Sequence, residues 1–363
     1  MRRSIVTVAA TLTLCATAFG QAPVSFEGKT VTMMTGAPAP ASLEGKTVTM
    51  MIGPPPGGGT DTAGRMIAAS LAKHLPGNPN IVVQNMPGAD GMVAMNYFVQ
   101  HAKPDGQMII MATGTQGDPL VYRGSQSRYD ATKLAIVGGV GRGGTIVVIR
   151  KDAEDRLYDK SKPPVVMGAV AGVPRAGMQT TAWGIDLLGW NAKWVVGYPG
   201  TNDLFVALER GEIDMTASGN FFQVGKLLQG GKVKVLNQSG TLAGGKMVPR
   251  PEFPDAPVFT NELQGKLPSG VQAKAFNYWF GLVVLDKWLA LPPETPAPIL
   301  QVYRDAFDKM SKDPEFIERG KKMSEDFAPQ AGKDVEDLLK TLGDTTPEAL
   351  DYIKNMLKGQ GIG

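Results

Sequence analysis

The sequence predicts an α/β fold of two lobes, each a mainly parallel sheet with flanking helices. Short β-rich runs alternate with amphipathic helical stretches from residue 47 onward, the pattern of a sheet covered by helices on both faces. The alternation runs through residues 44–141 and again through 142–277, and a chain of 363 residues is long enough for two ordinary cores. The strand Val48–Ile52 enters a Pro/Gly loop and then a helix (KTVTMMIGPPPGGGTDTAGR, residues 46–65), and strand ends meeting such loops are where α/β folds hold ligands.

The N-terminus comes first. Met1-Arg2-Arg3, an apolar run from Ile5 to Phe19 and the small residues leading to Gly20-Gln21-Ala22 have the order of a secretory signal peptide, assigned to residues 1–20. No later stretch reaches the roughly 18 apolar residues of a membrane span. The mature chain is therefore expected in the periplasm. Cys15, the sole cysteine, lies inside the apolar run, and Leu14 stands where a lipidation site needs a small residue. A mature chain without cysteine excludes disulfides and thiol catalysis and suits an oxidising compartment. With Arg2 and Arg3 removed, the formal charge falls from +3 to +1, and no basic run points to nucleic acid or a membrane surface.

Residues 21–43 form an N-terminal extension with a duplication: Ser25–Met34 (SFEGKTVTMM) recurs as Ser42–Met51 (SLEGKTVTMM). Two copies are too few for a solenoid. Only the second leads into a helix, so the first is expected to be loose or a peripheral strand. Past the glycine loop, Ala63–Leu75 carries Met66, Ile67, Ser70, Leu71 and His74 at helical spacing. Ile81–Gln84 is β-rich, Gly91–Ala102 helical, Met108–Ala112 a strand, and Ala135–Val140 and Thr145–Arg150 further strands. The second lobe, 142–277, repeats the theme: strands Val165–Val170, Lys193–Val196, Ile213–Ala217 and Lys232–Gln238, and helices Arg175–Leu188 and Leu204–Arg210. Gly244–Pro257 reads as loop. Asn277–Val284 reads as a buried strand returning to the first lobe, which 278–363 completes with a helix over Pro298–Met310 and another from Asp313-Pro314.

The glycine loop is the chemical signal. Glycines opening a helix leave backbone N–H groups unshielded at the positive end of the helix dipole, a ready anion site. Pro56, Gly57, Gly58, Gly59, Thr60 and Asp61 are the candidates here. Asp61 or Thr60 occupies the N-cap position, and the Asp61 carboxylate is also a candidate acceptor for a ligand hydroxyl, an amine or a bridging water. Thr113 and Thr115 follow a strand end, and Thr201 and Asn202 cap a second-lobe helix whose N–H groups suit another acid group. Trp183, Trp190 and Trp194 read as second-lobe core.

These motifs resemble the Bug-type periplasmic receptors, the solute-binding components of tripartite tricarboxylate transporters. Residues 53–65 (GPPPGGGTDTAGR) are similar to that family's first ligand loop, and 82–91 (VVQNMPGADG) to its V-x-N-x-P-G-A-x-G signature. Residues 103–106 (KPDG), 198–200 (YPG), 208–215 (LERGEIDM) and 279–281 (WFG) continue the match, which covers roughly residues 47–327. The resemblance implies a Venus-flytrap protein that holds a small carboxylate between its lobes, largely through loop N–H groups and water. It also implies membrane permease subunits as partners. The second loop, residues 171–178 (AGVPRAGM), departs from the family's Gly/Ser turn and histidine-leucine pair. Gly172 and Val173 are candidate contacts there. Arg175 is a candidate bidentate clamp for a carboxylate, against the plainer reading of a solvated surface arginine.

Enzyme readings find little support. His74 and His101 both fall in helical patterns, no Ser/His/Asp constellation is legible, and no metal-ligand spacing occurs. Gly240–Met247 mimics a phosphate loop until Met247 replaces the magnesium-binding hydroxyl. The expectation is an exported, monomeric solute-binding protein without catalysis, cofactor or nucleic-acid partner. The alternatives are a ligand receptor for a membrane sensor and a periplasmic hydrolase.

Overall fold

The computed structural model describes residues 43–362, apart from 142, 171–176, 244–245, 264, 267 and 325–326. The signal peptide, the extension with the first repeat copy, and Gly172, Val173 and Arg175 lie outside the described residues. The first stretch runs β1 (Thr47–Ile52), α1 (Gly59–His74), β2 (Asn80–Asn85), α2 (Met92–His101), β3 (Met108–Thr113), α3 (Pro119–Tyr122) and β4 (Ala135–Gly141). Then come β5 (Ile146–Arg150), α4 (Glu154–Leu157), β6 (Val165–Ala169), α5 (Gly177–Trp183), β7 (Ala192–Val196), α6 (Thr201–Arg210), β8 (Met215–Ser218), α7 (Phe221–Gln229) and β9 (Val233–Gln238). A hairpin of β10 (Thr241–Ala243) and β11 (Lys246–Val248) leads to α8 (Phe259–Glu262) and α9 (Gly270–Gly281). The chain closes with β12 (Lys287–Leu291), α10 (Ala297–Ser311), α11 (Pro314–Lys321), β13 (Ala328–Ala331), α12 (Gly332–Gly343) and α13 (Pro347–Gly359).

Two sheets result, ordered β13-β4-β12-β3-β1-β2 and β7-β6-β8-β5-β9. Both are mixed. β1 is parallel to β2 and β3, and β6 is parallel to β7 and β8. β12 runs against β3 and β4, and β5 against β8 and β9. Each of these reversed interior strands is one by which the chain crosses from one sheet to the other, β5 straight after β4 and β12 after α9. Neither arrives through the helical crossover that parallel neighbours require. At the sheet's edge β13 also pairs antiparallel, with β4.

Period-two alternation places the core. Val48, Met50 and Ile52 pack with Ile67 and Leu71 of α1 and Phe307 of α10, while Met51 faces the opposite layer with Phe98 of α2. The helix expected over Ala63–Leu75 is α1, with Ala63, Met66, Ile67, Ser70 and Leu71 buried. Two expectations fail locally. The run Asn277–Val284 is not a strand: it is the end of α9 followed by a 3₁₀ turn at Leu282–Val284, and the strand lies at Lys287–Leu291. A short apolar run does not fix its own period. Here packing decides, because Phe276 and Trp279 stand edge-on to the buried Trp183, 5.1 and 6.2 Å between ring centroids. The stretch read as loop from Gly244 also contains β11, paired with β10.

Trp183 and Trp190 are buried, and Trp183 also stacks on Tyr352 of α13. Gln360, just past α13, accepts from Trp194 Nε1 (3.1 Å) and donates to the Ala182 carbonyl (2.9 Å). The C-terminal helix therefore clasps second-sheet elements.

Candidate functional site

A cleft of about 1140 Å³ opens where strand ends of both sheets meet. One wall is built by the turns after β1 (Gly53–Pro56, Gly58–Thr60), β2 (Pro87–Met92) and β3 (Thr113–Thr115, Asp118). The other wall is built by Met178, Gln179, Tyr198–Asp203, Ala217–Asn220 and Gln223. The two chain crossings, Gly143–Thr145 and Leu282–Lys287, line it between them.

The glycine loop takes its shape from a side-chain staple. Gly58 is the N-cap of α1, and the first intrahelical bond is Thr62 N–H to the Gly58 carbonyl (3.0 Å). The N–H groups of the preceding turn, Gly59 to Asp61, therefore precede the hydrogen-bonded ladder. Asp61 is not the N-cap, and it does not line the cleft. Its carboxylate turns back into the loop and accepts from Gly57 N–H, Arg65 Nε and Asn85 Nδ2, each at 3.0 Å. Asn85 Nδ2 also donates to the Pro54 carbonyl (2.9 Å). Burial opposes ionisation of Asp61, but the Arg65 guanidinium, Gly57 N–H and Asn85 outweigh it and hold the carboxyl below its usual range. Gly57 sits at φ +82° and is absent from the cleft wall, whereas Pro56, Gly58, Gly59 and Thr60 are on it.

The neighbouring loops are locked to this one. A Cβ on Gly53 would lie 2.4 Å from Gly91 Cα, so the turns after β1 and β2 touch backbone to backbone. Ala89 and Asp90 both adopt positive φ, 43° and 55°, a strained pair on the cleft wall. Buried Gln116 holds them: its Nε2 donates to the Asp90 carbonyl (2.5 Å), and its Oε1 accepts from Thr113 N–H (2.9 Å) and Thr113 Oγ1 (3.0 Å). Thr113 thus lines the cleft with its hydroxyl already engaged. Thr115 also lines it, and its buried hydroxyl has no hydrogen-bond partner.

Opposite, α6 and α7 point their N-termini into the cleft, with Thr201 and Asn202 on the wall. Gly200, not Thr201 or Asn202, is the N-cap of α6: both of those residues already lie inside the helix, and the Gly200 carbonyl accepts from Leu204 N–H (3.3 Å). Asn220 caps α7 through Gln223 N–H (3.2 Å), and Gln223 Nε2 donates to Asn202 Oδ1 (2.6 Å), clamping the two helix starts together.

Charge on the wall is mostly negative. Among the described residues its ionisable carboxyl and amino side chains are Asp90, Asp118, Asp203, Asp286 and Lys287, and Lys287 Nζ sits 2.6 Å from Asp286 Oδ1. Attraction for an anion therefore comes from helix N-termini and loop N–H groups rather than from these side chains. Beneath the cleft, fully buried Arg250 donates to the carbonyls of Gly144 (2.8 Å) and Gly219 (3.1 Å) and to Ser324 Oγ (2.8 Å), and pairs with Glu252 (2.8 Å). Among the described residues no group of three or more His, Cys, Asp or Glu is placed to hold a metal.

Sequence reasoning missed Asp118, Ser218, Asn220 and Gln223. Asp118-Pro119 carries the signature of an N-cap followed by proline at the first helical position, and Asn220 that of an N-cap after a buried strand. Those signals find helix starts but do not say which of them face a cleft.

No family model matches the chain, and no curated protein matches it. Solved structures do. A structure described as periplasmic binding protein BugD is 21% identical, covers 85% of this chain and 97% of its own, and superposes with a TM-score of 0.64. A Rhodopseudomonas palustris protein solved with adipate is 19% identical (87% and 98% covered, TM-score 0.63). MatC from Rhodopseudomonas palustris, with bound malate, is 20% identical (86% and 98% covered, TM-score 0.60). The chain has the fold of the Bug-type periplasmic binding proteins, as its glycine-loop motifs led one to expect.

Proposed function

We propose that this protein is a periplasmic solute-binding receptor that captures a small carboxylate between its two lobes and carries out no chemistry on it. The signal-like residues 1–20 would deliver it there, and permease subunits of a tripartite tricarboxylate transporter would take the solute from it. The observation that carries this reading is the pairing of helix N-termini across one cleft. The start of α1, behind bare Gly58 and Gly59, lies on one wall, and the starts of α6 and α7 on the other. A ligand with acid groups at both ends meets N–H donors on each side and bridges the walls. Bridging favours the arrangement in which the walls approach, so the ligand shifts the population toward closure about the crossings at Gly143–Thr145 and Leu282–Lys287. Adipate and malate, held by two proteins of this fold, are acids of that kind.

The test is a thermal-shift panel of mono-, di- and tricarboxylates, amino acids, aromatic acids and neutral sugars on the mature protein. A ligand at 100 times its Kd stabilises by about 2.7 kcal/mol, enough for a shift of several degrees. Stabilisation by neutral sugars alone, or turnover of a bound acid, overturns the reading. Arg175→Ala tests the second loop, where unchanged affinity assigns that arginine to the surface. Copurification with a permease rather than a sensor kinase identifies the client.

A further inference from the structure

We propose, building on the carboxylate reading above, that Asp118 is the cleft's acceptor for a hydroxyl or ammonium group on the bound acid, so that the preferred solutes are hydroxy- or aminocarboxylates. Asp118 stands on the wall formed after β3, only 4% exposed, where it caps α3. Its Oδ1 accepts both bonds that position the side chain, from Leu120 N–H (2.8 Å) and from the hydroxyl of Tyr278 on α9. Oδ2 accepts neither of them, and on a residue that lines the cleft it is the oxygen open to a ligand. Beside it, Thr115 accepts the Asp118 N–H at its carbonyl (3.2 Å) and holds a buried hydroxyl without a partner. One acceptor-only oxygen and one unused hydroxyl, adjacent on a ligand-facing wall, match a ligand donor that also carries a lone pair or a further N–H.

A carboxylate group does not fit that spot. It would face the Asp118 oxygen, and Asp90 is on the same wall. The described ammonium group of the cleft, Lys287, is already bonded to Asp286. An acid without a donor would close over Asp118 and leave Oδ2 desolvated and unpaired, which penalises its binding. Burial already pushes the Asp118 carboxyl up to about 6, in the direction of a carboxylate short of donors, although Tyr278 and Leu120 act against the shift.

The experiment measures affinities of matched acids for the mature protein by titration calorimetry: succinate, malate and aspartate; glutarate, 2-hydroxyglutarate and glutamate; adipate and 2-aminoadipate. In the series that binds, the substituted acid is expected to bind about tenfold or more tightly than its parent. Asp118→Asn keeps an oxygen for Leu120 and Tyr278 but loses the anionic acceptor. It should shrink that preference to within about threefold. Thr115→Val supplies an independent variant, expected to reduce the preference severalfold. Parent acids binding as tightly as their substituted partners overturn the inference and leave the carboxylate reading intact. A preference that survives in both variants overturns it as well. Binding of none of these acids removes the inference together with the carboxylate reading for this class. The malate and aspartate arms separate a hydroxyl from an ammonium donor.

Discussion

Replacing Arg250 with methionine should destabilise the protein more than most single changes. The guanidinium is fully buried and donates to the carbonyls of Gly144 and Gly219, to Ser324 Oγ and to Glu252, itself only 5% exposed at its side chain. Methionine fills much of the volume but removes every donor. The buried Glu252 carboxylate then loses the Arg250 cation and keeps hydrogen bonds such as that from Ser324 Oγ (3.3 Å), while the carbonyls of Gly144 and Gly219 lose a donor. Breaking a buried ion pair by removing one member costs about 3–5 kcal/mol, a large share of the roughly 5–15 kcal/mol that holds a protein folded. At about 2–4 °C per kcal/mol for a domain of this order of size, Tm should fall by about 6–20 °C. Scanning calorimetry or circular-dichroism melts at neutral pH, read beside Arg250→Met/Glu252→Leu, check this. Removing both charges should recover much of the loss, because most of the penalty is the buried carboxylate left without its cation rather than the missing pair. A loss below about 1 kcal/mol, or a double variant no better than the single one, refutes the reasoning. Gly144 and Gly219 line the cleft and lose Arg250's donors in both variants, so both should also bind solute more weakly than the parent protein.

Three further outcomes are expected. Gly53→Ala places a Cβ 2.4 Å from Gly91 Cα; it should cost about 1–3 kcal/mol and weaken solute binding, and unchanged melting and affinity would contradict the backbone contact. Asp61→Ala removes the charged acceptor shared by Gly57 N–H, Arg65 Nε and Asn85 Nδ2, a loss of about 1–3 kcal/mol at pH 7, although Asn85 keeps its bond to the Pro54 carbonyl. Because the Asp61 carboxyl is held below its unfolded value, that contribution is present above the unfolded pKa and fades as pH falls through the folded one. Melts that show the same deficit well below pH 3 would argue against the staple. Asp118 has the opposite sign. Its carboxyl is pushed from 3.8 to about 6 in the fold, so its contribution is complete below pH 3.8 and is lost as pH rises through 6. Ligand-free Asp118→Asn should therefore be more stable than the parent at pH 7.5, by up to about 3 kcal/mol, with the gap closing by about pH 4. An equal gap at both pH values would show that the carboxyl's charge is not the cause.

Local signals in the sequence carry far in this chain. The strand Thr47–Ile52, its glycine loop and α1 are legible because β-rich residues, glycines and the helical spacing of Met66, Ile67 and Leu71 all act within about 25 residues. The anion-ready helix start and the Thr201 start of α6 follow from the same local chemistry. Only the tertiary structure decided what depends on partners far along the chain. β12 enters the first sheet between β3 and β4, about 150 residues or more from either, and no local period announces such a pairing. The run at Asn277–Val284 became helix because Trp279 and Phe276 found Trp183. Asp61 and Asp118 make the sharpest contrast, since both stand near helix starts and look alike in sequence. Asn85 and Arg65 draw the first back into its loop, while Tyr278 holds the second on the cleft wall. Helix propensity is written locally. The direction a carboxylate faces is set by the donors that folding brings to it.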